Sequence, residues 1–148
     1  MRLERLNPGN VVLPAGATTL SKAIHDGKYI ILSDLTGHTV TLPPATGSGC
    51  HLTLVETVAP TSNSNIVKVA NGDDVMIGSL GITNAGGTNT AFPTAATSDT
   101  VTLNRTTSGG ASNGGVMEFI DIALNKWLVE GRVNGSGSGT TPFSATVS

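Results

Sequence analysis

Along most of this chain apolar and polar residues alternate with a period of two. Between residues 38 and 56, His38, Val40 and Leu42 alternate with Thr39 and Thr41, and after Pro43-Pro44 and Gly47-Ser48-Gly49 the residues Cys50, Leu52 and Leu54 alternate with His51, Thr53 and Val55. The pattern reads as strand, turn, strand. KYIILS, residues 28–33, is apolar on both faces and predicts a central strand. IVKVA (66–70), VMI (75–77), DTVTLN (99–104), 116–122 and 126–133 predict further strands. Asn71-Gly72 is a hairpin signal, and Leu124-Asn125 marks the turn of the last hairpin. Residues 84–98 and 106–115 read as long loops rich in Gly, Thr, Ala and Asn. The one helical pattern is TTLSKAIHD, residues 18–26, with Thr18 or Thr19 as its cap and Gly27 as its stop.

Eight or nine short strands with turns between them predict an all-β fold. It would be an antiparallel β-sandwich or barrel, jelly-roll-like, with at most one short helix near the N-terminus. The period places Val40, Leu42, Leu52, Leu54, Val67, Val69, Val101, Leu103, Trp127 and Val129 in the core. Three segments follow: an N-terminal arm at 1–10, a single β domain at 11–133, and a flexible linker and tail at 134–148 that opens with NGSGSGTT.

Composition sharpens this. The chain has 148 residues, of which 21 are Thr, 13 Ser and 19 Gly, and only 12% are charged. An average domain has about 25% charged residues, so the outward positions of these strands are filled by neutral hydroxyls. A net charge of −2 without a basic run excludes an electrostatic footprint for nucleic acid. Aromatics at 3% are too few for base-stacking platforms. No stretch of about 18 apolar residues predicts a membrane span. The N-terminus lacks the apolar core of a signal peptide.

Groups that could carry chemistry are few and poorly placed. Cys50 and His51 are strand neighbours and point to opposite faces, which argues against a shared metal. Asp73 and Asp74 are followed by Val75, Met76 and Ile77, without the closing carboxylate of a calcium loop. Glu118 and Asp121 stand at odd separation on one strand and face opposite sides. Neither Gly47-Ser48-Gly49 nor Gly109-Gly110 opens a helix, as a phosphate cradle would. Trp127 reads as core. The expectation is a protein that is not an enzyme and takes no cofactor.

Two runs carry a resemblance. TVTLPPATGSGCHLTLVETVAPTSNSNIVKVANGDDVMIGS (39–79) and ATSDTVTLNRTTSGGASNGGVMEFIDIALNKWLVEG (96–131) resemble small β-rich virion proteins of tailed bacteriophages, and are most similar to capsid decoration (cement) proteins. The resemblance implies a structural protein on the outer capsid surface of a virion, with the major capsid protein and itself, as a homotrimer, for partners. A tail or fibre module contacting the host surface is the alternative. On either reading the terminal segments are the candidate partner-binding elements: Arg2, Leu3, Arg5 and Leu6 in the arm, Phe143 and Val147 in the tail. Neither segment is long enough to fold alone.

Overall fold

The computed structural model describes residues 9–148. They form two packed β-sheets and one turn of helix. In chain order the elements are β1 (Asn10–Val12), β2 (Gly16–Thr19), α1 (Lys22–His25), β3 (Tyr29–Leu32), β4 (His38–Thr41), β5 (His51–Glu56) and β6 (Asn65–Lys68). They continue with β7 (Val75–Thr83), β8 (Asn89–Pro93), β9 (Thr100–Leu103), β10 (Val116–Ala123), β11 (Lys126–Asn134) and β12 (Phe143–Ser144). One sheet has seven strands in the order β1-β3-β5-β10-β11-β7-β8. The other has five, in the order β12-β9-β6-β4-β2.

The predicted all-β sandwich is therefore present, but its connectivity is not that of hairpins. From β1 to β7 each strand lies in the sheet opposite to the one before it. The chain winds as a flat coil, so that β1, β3 and β5 stack in parallel, as do β2, β4 and β6. Only from β8 onward do antiparallel ladders dominate, with β7–β8, β5–β10, β10–β11, β6–β9 and β9–β12. The antiparallel pairing expected of the sandwich is found in these ladders, whereas the β7–β11 ladder and those of the first half are parallel. Sequence periodicity reports which side chains face inward, and says nothing about strand direction.

The coil explains the core. Winding in register places like residues above one another. Val11, Ile30 and Leu54 form one inward column, and Val40, Val67 and Val101 form a facing one. All ten residues expected in the core are buried, and Met76, Leu80, Ile82, Met117, Phe119 and Val133 join them. Gly78 makes the junction between β7 and β11 possible. Its φ is +136°, and a Cβ there would collide with the Val129 carbonyl.

Four local expectations are corrected. The helix is shorter than 18–26. Thr18 and Thr19 extend β2, and Ser21 is the N-cap, its hydroxyl accepting from the Ile24 N–H at 3.4 Å. Ladder bonds to β4 outcompete a helical start at the two threonines. Asn71-Gly72 does not close a hairpin, because β6 and β7 lie in different sheets. Instead the Asn71 side chain accepts from the Asp73 and Asp74 N–H groups and turns the chain across the sandwich. The 84–98 segment contains an edge strand, β8, supported by pairing with β7.

The fourth correction is the C-terminal segment, which docks into the body instead of swinging free. Gly135 and Ser136 donate to Thr83 and Thr106 carbonyls, and Phe143 pairs with Val101. Phe143 is 9% exposed, and Val147 packs against the core. A Gly/Ser composition reads as a flexible linker, but Gly137 and Gly139 take left-handed turns on the way back to β12 and β9. The N-terminal arm lies outside the described residues, apart from Gly9 and Asn10, the latter opening β1.

Leu54 sits in the middle of the inward column and is fully buried. Leu54→Ala is expected to destabilise the fold by about 2–5 kcal/mol, measured by urea unfolding at constant pH.

Candidate functional site

The two outer faces of the sandwich differ in chemistry. On the five-stranded sheet the outward residues line up in two rows by register. One is Ala17, Thr39, Ile66 and Thr102, and the other is Thr19, Thr41, Lys68, Thr100 and Ser144. This is where the alternating threonine of the sequence goes. Cross-strand threonines suit a pleated surface without bringing charge to it.

On the seven-stranded sheet the outward face carries two aliphatic rows among polar and charged positions. Val12, Ile31, Val55 and Val116 form one row across β1, β3, β5 and β10. Ile120, Leu128 and Ile77 form another across β10, β11 and β7. Between the rows run Tyr29, Thr53, Glu118 and Glu130. Val12 is 63% exposed, Tyr29 51% and Ile77 36%. Ile122 and Leu124 add exposed apolar surface at the β10–β11 turn.

The loops are held by buried carboxylates. Asp121 accepts from the N–H groups of Thr46, Gly47 and Ser48 at 3.1, 2.7 and 3.0 Å, and from the Ser48 hydroxyl at 2.7 Å. Asp99 accepts from the N–H groups of Thr146, Val147 and Ser148 at 2.8, 3.1 and 3.0 Å, and from the Thr100 hydroxyl at 2.7 Å. Asp74 accepts from the Ala45 N–H at 3.0 Å. Burial alone would raise the carboxyls of Asp99 and Asp121. The hydrogen bonds donated to them outweigh it and hold both below the usual range.

Glu56 is the opposite case. It is 1% exposed and has one side-chain donor, Asn65 Nδ2 at 2.7 Å. Its Oε1 has no partner and lies where a Cβ on Gly115 would stand. Burial pushes its carboxyl up to about 7, against a smaller lowering by the Asn65 bond. The glycine-rich 106–115 loop therefore acts as a cover, with Gly114 N–H donating to the Glu56 carbonyl and Glu56 N–H to the Gly115 carbonyl.

The remaining sequence candidates are scattered. Cys50 faces the core, and burial raises its thiol to about 11, while His51 lies on the opposite, outer face 3.7 Å from Glu118. His38 is buried and accepts from the Asp34 N–H, and burial lowers its imidazole. His25 is buried at the foot of α1. Among the described residues no three His, Cys, Asp or Glu side chains come together as metal ligands. Glu118 faces outward and Asp121 inward, as their separation on the strand predicts. Trp127 is fully buried. A shallow cleft of about 340 Å³ beside β7 and β11 is lined by neutral groups, among them Asn84, Ser112, Asn134 and Ser136. It can offer hydrogen bonds, and it holds no acid or base.

Of the candidate partner-binding residues, Arg2, Leu3, Arg5 and Leu6 lie outside the described residues. Phe143 and Val147 are occupied within their own chain, so the tail adds its strand to its own sheet and not to a neighbour's. The structural roles of Asp99, Asp121 and Glu56 were not drawn from the sequence. A charged residue inside an apolar strand, as in FIDIAL (119–124), is the available signal, because such a group is buried only when satisfied. No protein family matches the chain, and no curated protein or solved structure matches it either.

Two predictions follow from the carboxylates. Glu56 binds its proton more tightly folded than unfolded, so its contribution is fully present below its ordinary value of 4.5 and is lost as pH rises to about 7. Asp99 and Asp121 contribute above their ordinary value of 3.8, and lose that contribution as pH falls below it. The Glu56 contribution is expected to fall by about 3 kcal/mol between pH 4.5 and pH 8, read as the difference between wild-type and Glu56→Gln urea unfolding, because His38, whose imidazole burial lowers, changes stability in the opposite sense as pH falls below 6.5. Glu56→Gln should flatten the alkaline side alone. Asp99→Ala is expected to cost about 2 kcal/mol or more and to abolish slow amide exchange at Thr146, Val147 and Ser148, read by hydrogen exchange.

Proposed function

We propose that the protein is a non-enzymatic virion component that binds the outer surface of a tailed-bacteriophage capsid and cements the shell. Its partners are the major capsid protein and, as a homotrimer, further copies of itself. The observation that carries this reading is the aliphatic outer face of the seven-stranded sheet. Water penalises such a surface at roughly 25 cal/mol per Å², and covering it with a partner is favourable. Its two aliphatic rows flank a central line of Tyr29, Thr53, Glu118 and Glu130, so a partner covering the rows would also meet polar groups between them. The chain's resemblance to decoration proteins supports the same conclusion.

A rigid sandwich suits cementing. The parallel stacks and the carboxylate-held loops fix the geometry of both faces before any partner arrives, so little ordering entropy is spent on binding. The threonine-rich sheet would remain toward solvent, where its neutral hydroxyls stay hydrated at no desolvation cost.

The test is densitometry of purified particles against the major capsid protein, together with addition of the purified protein to undecorated shells. The expected result is saturable binding to shells, and a copy number in large excess over any tail component. Absence from heads with presence in isolated tails would replace this reading with the tail or fibre module.

A further inference from the structure

Glu56 ends β5 beneath the glycine-rich loop, and its carboxyl is only half satisfied. Asn65 Nδ2 donates to Oε2 at 2.7 Å, while the buried Oε1 has no partner. Backbone of the loop closes over both oxygens. A Cβ on Gly115 would collide with Oε1, and one on Gly110 would stand 3.3 Å from Oε2. The charged groups of the surrounding elements give this carboxyl no counter-ion. Arg105 lies behind Gly110, and its guanidinium donates to the Thr61 carbonyl at 2.9 Å. His38 is joined to the far end of Asn65, whose Oδ1 accepts from the His38 N–H at 2.9 Å, and Asp34 donates its N–H to the imidazole beyond. His51, Lys68, Glu118 and Arg132 point to the outer faces of their strands.

The covering loop holds to the body mainly through hydrogen bonds. Residues 106–115 are TTSGGASNGG, and Ala111 is their one side chain without a polar group beyond the glycines. Ser108 and Gly109 are anchored: the Ser108 hydroxyl donates to the Thr102 carbonyl at 2.7 Å, and Gly109 fits against Leu103 and Val133. Residues 110–115 are held differently. Gly114 N–H donates to the Glu56 carbonyl at 2.7 Å, Glu56 N–H to the Gly115 carbonyl at 2.8 Å, and Ala111 N–H to the Asn134 carbonyl at 3.0 Å. Asn134 Nδ2 donates to the Asn113 carbonyl at 2.8 Å. Water can replace each of these bonds, and little apolar surface is uncovered when they break. Segments of that kind open at low free energy. Ala111 and Ser112 also line the cleft beside β7 and β11, together with Asn134 and Ser136.

We propose that Glu56 is a proton-operated latch for residues 110–115, and that the cleft they line is complete only while the latch is closed. With the carboxyl neutral, the segment lies over it and keeps its bonds to Asn134. When the proton passes to solvent, a buried carboxylate with one donor is left behind, which is costly. The segment lifts, water reaches Oε1, and the bonds to Asn134 are lost. Asp99 and Asp121 do not behave this way, because several N–H groups already donate to each of them. The direction follows from burial, which holds the Glu56 carboxyl at about 7 when covered, against an ordinary 4.5 when water reaches it. Opening is therefore favoured as pH rises through that interval, and gains nothing further above it.

The experiment is amide hydrogen exchange on the full chain, expressed at each pH as protection relative to an unstructured peptide. The Ala111, Gly114 and Glu56 amides report the latch, and the Leu54 and Phe119 amides report the body. Protection of the three latch amides is expected to fall about tenfold per pH unit between pH 4.5 and 7, and to level off above. Low urea should leave their exchange unchanged while speeding that of Leu54 and Phe119, because a local opening exposes little surface and global unfolding exposes much. In Glu56→Gln, which stays neutral, latch protection should not vary with pH. Should that variant fail to fold, the carboxyl ¹³C shift of Glu56 in wild type takes its place, and is expected to titrate above the ordinary value. Latch protection that is flat across the interval, or that falls equally in Glu56→Gln, would overturn the proposal. So would a carboxyl that titrates at its ordinary 4.5 while the latch amides lose protection. Urea speeding the latch amides as much as Leu54 and Phe119 would also overturn it, since proton loss would then act on the whole fold and not on the loop.

Discussion

Successive strands in the first half of this protein lie in opposite sheets, and the chain must therefore cross the edge of the sandwich repeatedly. Each crossing takes backbone N–H groups out of any ladder while keeping them close to the core, and a buried N–H without a partner is costly. Buried carboxylates meet that constraint. Asp121 gathers three N–H groups of the turn between β4 and β5, Asp74 takes the N–H of Ala45, and Asp99 gathers three at the C-terminal end. At the surface, the exposed Asp26 accepts from the His51 N–H, where β5 begins. With so few charges in the chain, a sizeable share of the acids serve as fixed acceptors within the fold.

The same carboxylates shape the surface. The Asp99 contacts bring the last residues against the five-stranded sheet, where the Thr146 and Thr100 hydroxyls meet at 2.7 Å. That covers one edge of the threonine face, while Val12, Tyr29 and Ile77 stay exposed on the other sheet. A sandwich whose two faces differ this much has a direction. One face is comfortable in water, and the other gains from being covered. The position of Glu118 and Glu130 in the middle of the second face gives that covering a charge preference as well as an apolar one.

The inward residues were legible in the sequence almost without loss. Val40, Leu42, Leu52, Leu54, Val101 and Leu103 announce themselves by period, and Trp127 by size. The final hairpin was legible from Leu124-Asn125, since both of its strands are adjacent in sequence and in space. The terminal tail was misread as free because glycine and serine look alike whether they form a linker or a series of left-handed turns. The outer aliphatic face was present in the sequence as Ile31, Val55, Ile120 and Leu128, but strands apolar on both sides read as central, not as one-sided and uncovered.

What the sequence determined by itself is the alternation, and hence the all-β class, the identity of the core and the scarcity of chemical groups. These depend on contacts between each residue and a generic inside or outside, which a local pattern encodes. The tertiary structure alone decided the direction of each ladder, the pairing of Glu118 with Glu130, the docking of Phe143, and the meeting of Asp121 with a turn more than seventy residues away. Those depend on which distant segments become neighbours. The parallel winding of β1 to β6 sets that, and no local period records it.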